Sequence, residues 1–482
     1  MTVPFRDRLW EWGMSLVFYD TETTGIDTTF DQILQFAAIR TDANLNEMER
    51  FEIRCRLLPH IVPAPGAMRV TGVKASQLID PSLPSHYEMV RAIREKLLSW
   101  SPATFIGYNS LDFDENLVRQ ALYKTLHPPY LTNTSGNSRS DALRMLQATS
   151  LFAPNVLAIP MGDSGKPVFK LDRVAPANGF SHERAHDALA DVEATIHLCR
   201  IVLERAPDIW SSFMRFSQKA AVVDFITTER VFCLTEFHFN QPYSWLVSVI
   251  GQHHQNNAEW YAYDLGVQPE SLQPLSDEQL SARLKRSPKP IRRLKSNAAP
   301  VLFQAQDAPG ICRAREYGHH ELERRAEILH ADEALCARLI SAFEALKDDY
   351  PPSAHVEKQI YDGFFNIADQ KLMDQFHTAP WPERSKIVER FQDARLRTIG
   401  WQLIFFERPE LLNEDMRREH AGVAARRLLG ECDDVLWLTL PNALQELEGL
   451  LSDESSPNFE MLCEHRQYLL RRLEQANSDL PR

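Results

Sequence analysis

Three short segments carry side chains whose types and spacing could do chemistry. In the first, Leu16 to Gly25 (LVFYDTETTG), an apolar strand-like run ends on Asp20 and Glu22. Residues two apart on an extended backbone point to the same side, so these carboxylates lie together and repel unless a cation neutralises them. In the second, Gly107 to Leu122 (GYNSLDFDENLVRQAL), a strand end and a polar turn lead into a helix that opens near Asp114. A carboxylate is favoured there by the helix dipole, and a plain helix cap would account for it equally well. The third segment begins at His186 (HDALADVEATIHLCRIVLE). Leu189, Val192, Ile196, Cys199 and Val202 form an apolar stripe at helical spacing, which puts Asp191 early on an amphipathic helix. His186 precedes Asp191 by five residues, about 500° on an ideal helix, so it belongs to the turn that leads in. Four carboxylates and one imidazole offer oxygen ligands for a hard divalent cation and a base that titrates near neutral pH.

The elements that must position these residues fall into three textures. Residues 1–205 alternate short apolar runs (SLVFYD, QFAAIRTD, TFIGYN) with helical patterns, as a mixed α/β domain does. Residues 206–355 are dominated by strand-like alternation (RVFCLTEFHF, YSWLVSVIG, EWYAYDLG, PVLFQAQ) with helical pieces near the end, and Trp245, Trp260 and Tyr261 read as core. Residues 356–482 are helical and punctuated by proline. No internal repeat or long linker separates the three parts, so they are expected to pack as one body and to act as a monomer.

With 482 residues, 44% hydrophobic and 25% charged, the chain is neither disordered nor fibrous. No apolar run approaches the ~18–20 residues of a membrane span, and the N-terminal stretch lacks the apolar core of a signal peptide. Seven dispersed cysteines without a CxxC pair fit free thiols in a reducing cytoplasm. Fifty-three basic against 66 acidic residues give a net charge of −13, so a polyanion could be bound only where positive charge is gathered locally. Arg283 to Lys295 (RLKRSPKPIRRLK) is such a stretch, readable equally as a phosphate-tracking surface or as a solvated loop and edge strand. The pairs His253–His254 and His319–His320 read as surface histidines, and neither a P-loop nor a nucleophile elbow is present.

The order of motifs, DxE at a strand end, FD after YN, and HxAxxD opening a helix, with VTGV (Val70 to Val73) between the first two, resembles the DEDDh exonuclease superfamily. That resemblance implies an α/β, RNase H-like exonuclease domain and hydrolysis of nucleic acids from the 3′ end. Within the superfamily, QFAAIRTD, PGAMRVTGV, NSRSDALR, FKLDRVAPANG and IYDGFF are similar to segments of the bacterial exonuclease I family. This implies an SH3-like β-rich domain over 206–355 and an α-helical C-terminal domain over 356–482.

The implied activity is 3′→5′ degradation of single-stranded DNA to 5′-mononucleotides, in DNA repair and recombination. By the same resemblance Asp20, Glu22, Asp114 and Asp191 would hold two Mg2+ ions, with Mn2+ as the alternative. His186 would take the proton from the attacking water, and Glu22 would contact the terminal 3′-hydroxyl. Lys170 stands where the family presents an arginine to phosphate, and Arg119, Tyr130 and Arg139 align with positions lining the strand path. LTNTSG (Leu131 to Gly136) lacks the tryptophans of an aromatic stacking platform. The implied protein partner is the acidic, apolar tail of the single-stranded-DNA-binding protein, with Arg313, Arg315, Arg324 and Arg325 as candidate contacts. A C-shaped body is implied too, and loss of residues after 355 is expected to cost processivity more than cleavage of short oligonucleotides. An RNA-trimming exonuclease of the same superfamily and a non-catalytic single-strand-binding scaffold are the competing readings.

Overall fold

The computed structural model describes residues 15–181, 186–346, 353–452 and 458–480. Its first sheet is built around β1 (Ser15–Thr23), whose alternate side chains are apolar on both faces. Leu16 and Phe18 enter one core, Val17 and Tyr19 the other. A strand buried on both sides belongs in the middle of a sheet. The observed order is β3-β2-β1-β4-β5, with β2 (Ile33–Thr41), β3 (Glu47–Arg54), β4 (Ala103–Gly107) and β5 (Ser138–Asp141). β2 and β3 run antiparallel to their neighbours, and β4 and β5 run parallel. The helices Ala142–Phe152, Ala188–Arg205 and Pro207–Phe216 cover the face of Leu16 and Phe18, whereas His86–Ser99 and Asp114–Lys124 cover the other.

The residues after 205 differ from their strand-like reading. They form two helices, Pro207–Phe216 and Lys219–Thr228. Ile209, Trp210, Phe213 and Met214 complete the first core, while Val222, Phe225 and Ile226 pack on the second sheet. That sheet is fully antiparallel, in the order β10-β6-β7-β8-β9, from β6 (Phe232–His238), β7 (Gln241–Gln252), β8 (Glu259–Asp264), β9 (Ile291–Lys295) and β10 (Val301–Gln304). The SH3-like expectation thus meets a five-stranded meander whose last strand returns to its first. Helices Gly318–Ala331 and Glu333–Glu344 close its other face over Leu246, the fully buried Tyr261 and Ile291.

Trp245 and Trp260 are half-buried on the opposite side. The basic stretch is the end of the helix Asp277–Leu284, a turn and then β9, an edge strand, in which Arg292 lies over the Trp245 ring at 3.9 Å and Arg293 pairs with Glu259 at 3.2 Å. Of the histidine pairs, His254, His319 and His320 are exposed. His253 is half-buried, and its Nδ1 accepts hydrogen bonds from the backbone N–H of Gln255 and Asn256.

The C-terminal helices do not stand apart from the first sheet. Leu372, Phe376, Val388 and Leu403 share a core with Tyr87, Tyr123 and Leu126, and Leu440, Ala443, Leu462 and Leu469 share another with Leu34, Met68 and Leu78. Removing residues after 355 would bare both cores, so that truncation costs the fold and does not isolate processivity. Among the described residues no helix is long and apolar enough to cross a membrane, and all seven cysteines are free thiols.

Candidate active site

The alternation of β1 decides which acids meet. Asp20 and Glu22 share the face of Leu16 and Phe18, the face covered by the helix Ala188–Arg205 that carries Asp191 in its first turn. Ligand oxygens of Asp20, Glu22 and Asp191 all lie within 4.8 Å of one another. Asp114 arrives from the opposite face as the first residue of the helix Asp114–Lys124. Its Oδ1 accepts from both Thr21 donors, the backbone N–H at 3.1 Å and the hydroxyl at 2.6 Å, so the carboxylate is pinned to β1 between Asp20 and Glu22. The turn before that helix is held by buried Asp141, which accepts from the N–H groups of Asn109 at 3.0 Å and Leu111 at 3.2 Å. Asn109 sits at φ 63, a conformation that asparagine tolerates better than most residues.

His186 is half-buried in the turn before the helix Ala188–Arg205, at φ 66. Asp187 follows as that helix's N-cap, accepting from Ala190 N–H at 3.3 Å. Three of the four expected acids and the histidine-bearing turn therefore gather at one end of β1, with the fourth acid locked behind them.

The electrostatics of this arrangement are adverse for the protein alone. Burial, reinforced by the charges of Asp114, Asp191 and Glu22, pushes the Asp20 carboxyl far above the usual range. Burial and then Asp191 push Glu22 up to about 9. Burial pushes Asp114 up to about 7, against the lowering effect of the Thr21 hydrogen bond. A crowded, all-oxygen anionic set of this kind fits a divalent cation, which removes the repulsion that holds the protons on.

The sign of the pH effect follows. Carboxyls with raised folded pKa values give stability that is fully present below their unfolded pKa of ~4 and is lost as pH rises through their folded values, about 7 for Asp114 and about 9 for Glu22. Cation binding competes with those protons. Differential scanning fluorimetry is therefore expected to show a larger Mg2+-induced rise in Tm at about pH 9 than at about pH 6. An equal rise at both would remove the carboxylates from the site.

Two family models match the chain: "Exonuclease" over residues 17–199, which spans all the residues just described, and "Exonuclease I C-terminal domain" over residues 354–472. Over both regions the chain is similar to exonuclease I proteins. It is 29% identical over 380 residues to exodeoxyribonuclease I of Escherichia coli K12, covering 74% of this chain and 78% of that one. To exodeoxyribonuclease I of Haemophilus influenzae it is 27% identical over 403 residues, covering 79% and 84%. Among solved structures it is similar to the exonuclease I of Methylocaldum szegediense (TM-score 0.80, 27% identity, 95% of this chain and 100% of that one). It shares its fold with E. coli exonuclease I in complex with a dA16 oligonucleotide (TM-score 0.81, 23% identity, 97% and 100%).

The remaining positions that the exonuclease I resemblance singled out are placed differently from one another. Lys170 is exposed at the start of the helix Leu171–Ala177. Arg139 is buried, donating to Glu115 at 3.0 Å and to the Asn297 carbonyl at 2.9 Å. Arg119 pairs with the same Glu115 at 2.8 Å and lies over the Tyr130 ring at 5.4 Å. Glu115 itself is fully buried and accepts further from Tyr19 and Thr132. It is the partner that the sequence reading missed, and its only local signal was a second acid directly after Asp114. Tyr130 meets Phe364 of the IYDGFF segment at 5.8 Å between ring centroids. Phe364 is 87% exposed and Tyr361 59%. An aromatic surface thus exists beside LTNTSG, supplied by a part of the chain more than 200 residues away. Of the four candidate arginines for a protein partner, Arg324 is paired with Glu321 and Glu270, and Arg325 is buried against Glu321 and the Leu265 carbonyl. Arg313 and Arg315 are exposed.

Proposed function

We propose that this chain is a 3′→5′ exonuclease that shortens single-stranded DNA, releasing 5′-mononucleotides by metal-dependent phosphodiester hydrolysis. The observation that carries the reading is the convergence of Asp20, Glu22 and Asp191 beside the His186 turn, in a chain similar to exonuclease I proteins. Two divalent cations, Mg2+ in this reading, supply activation of water and charge stabilisation on the leaving oxygen when bound. Asp20, Glu22, Asp114 and Asp191 would hold them. Asp114 fixes β1 at Thr21 and adds its charge to the site. His186 accepts the proton of the attacking water at an imidazole nitrogen, and the Glu22 carboxylate faces the terminal 3′-hydroxyl. Lys170 meets a phosphate as a single ammonium, a weaker contact than an arginine fork would make.

Further along the strand, the exposed Phe364 and Tyr361 with Tyr130 form a surface on which bases stack without regard to sequence. Stacking is worth ~1–3 kcal/mol per base, so Phe364→Ala is expected to raise KM for a long oligonucleotide about tenfold with little change in kcat. Its exposed side chain contributes little to folding, and an unchanged KM in steady-state assays would take Phe364 off the strand path. In the same reading the enzyme works as a cytoplasmic monomer. The tail of the single-stranded-DNA-binding protein would then draw on Arg313 and Arg315, since Arg324 and Arg325 are committed to ion pairs.

A time course with 5′-labelled single-stranded DNA, the matching duplex and matching RNA, each with Mg2+ and with EDTA, tests the proposal. The expected result is Mg2+-dependent stepwise shortening of the single-stranded DNA alone. Preferential loss of the RNA would transfer the site to an RNA-trimming role, and binding without turnover would make the chain a scaffold.

A further inference from the structure

An in-register row of polar side chains crosses three strands of the first sheet. Glu22 on β1 stands opposite Gln35 on β2, and Gln35 stands opposite Arg54 on β3. Direct cross-strand partners share a face, so the row lies under the helix Ala188–Arg205. It ends on Asp187, the residue after His186. Arg54 Nη2 donates to Asp187 Oδ2 at 2.8 Å, and Gln35 Nε2 donates to the same oxygen at 3.3 Å. The other oxygen, Oδ1, accepts Ala190 N–H as the helix N-cap.

The Gln35 amide is itself fixed. Its nitrogen also donates to Glu52 at 2.9 Å, and its oxygen accepts Ala188 N–H at 3.4 Å. With two carboxylates on one side and a backbone donor on the other, a single orientation satisfies every partner. Gln35 is 2% exposed, so leaving any of these groups unpaired would carry a full desolvation cost.

Asp187 therefore stands beside the carboxylate trio without belonging to it, since both of its oxygens are engaged by Arg54, Gln35 and the helix cap. The neighbouring His186 sits at φ 66, a backbone region that a residue with a Cβ keeps only when its surroundings over-determine it. The groups that determine this turn from the helix side are the ones just named. Arg54, two strands away from β1, would otherwise read as a surface ion pair of little consequence.

We propose that Arg54 and Gln35 are positioning residues for His186: by clamping Asp187 they set the entry of the helix and the turn that carries the imidazole. Arg54 acts on the Glu22 carboxyl more weakly than burial, Asp191, Asp114 and Asp187 do, so the effect of Arg54 and Gln35 on the reaction passes chiefly through His186. The inference rests on His186 acting as the base, as proposed above.

Arg54→Met is expected to lower kcat about tenfold or more. KM for single-stranded DNA and Mn2+ affinity, read by electron paramagnetic resonance, stay at wild-type values. Arg54→Lys, which keeps the charge and loses the fork, recovers part of the rate and guards against a fold defect in the first variant. The deciding experiment is a double-mutant cycle, with Arg54→Met added to His186→Ala. The expected rate equals that of His186→Ala alone. A further drop as large as the one seen in the wild-type background would overturn the proposal, as would weakened Mn2+ affinity with the rate restored at saturating Mn2+. Full activity of the His186→Ala single variant would instead overturn the base assignment, and the clamp's role with it.

Discussion

Asp20→Asn lowers the rate of strand shortening by about 10³-fold or more, while the metal-free protein melts no lower than wild type. The first half follows from its position. Asp20 lies on the central strand with its oxygens within 4.8 Å of those of Glu22 and Asp191, so loss of its charge empties the middle of the ligand set. Lewis-acid stabilisation contributes several kcal/mol, and each ~1.4 kcal/mol is tenfold in rate. The second half follows from the same crowding. Burial and four neighbouring carboxylates already penalise the charged form of Asp20, and a neutral isostere removes that penalty. A gel assay and a thermal melt on the same preparation check both. Full turnover, or a lost melting transition, would separate the residue from the role given to it.

The second large effect is at His186. His186→Ala is expected to cost about 10²–10³-fold in kcat at saturating metal, in the range for removal of a general base, with KM for single-stranded DNA unchanged. Steady-state assays at saturating metal check this, and a wild-type kcat in the variant would place the base elsewhere.

How much of this was legible in the chain depends on the distance over which each feature is decided. Asp20 and Glu22 are two apart on a strand, Asp114 opens a helix, and Asp191 follows its helix start by one turn. Each of these is local, and alternation or helical spacing suffices to place it. That Asp20 and Glu22 face Asp191 while Asp114 reaches the strand through Thr21 depends on which helix covers which face, which no segment records. The Glu22–Gln35–Arg54 row exists only because two strand registers agree, so its members look unrelated in sequence.

Arg139 is placed on the strand path by the resemblance of NSRSDALR to exonuclease I segments. β5 is nevertheless buried throughout, and the cost of burying Arg139 is met by Glu115 and the Asn297 carbonyl. The helices at 207–228 were a local signal passed over: Ile209, Trp210, Phe213 and Phe216 follow helical spacing, and Pro207 stands at a first helical position. Likewise, no pattern within residues 356–482 announces that Leu372 or Leu462 shares a core with Tyr87 or Met68.

The central claim is that one carboxylate cluster both holds the metal and carries the cleavage. It is tested most directly by titrating Mn2+ into the protein with 5′-labelled single-stranded DNA under single-turnover conditions, reading metal occupancy by electron paramagnetic resonance and strand shortening on the same samples. The account predicts that the cleavage rate follows occupancy in the wild-type protein and that both vanish together in Asp20→Asn. Shortening that persists in EDTA, or an Asp20→Asn protein that binds Mn2+ and cleaves as wild type does, would contradict it.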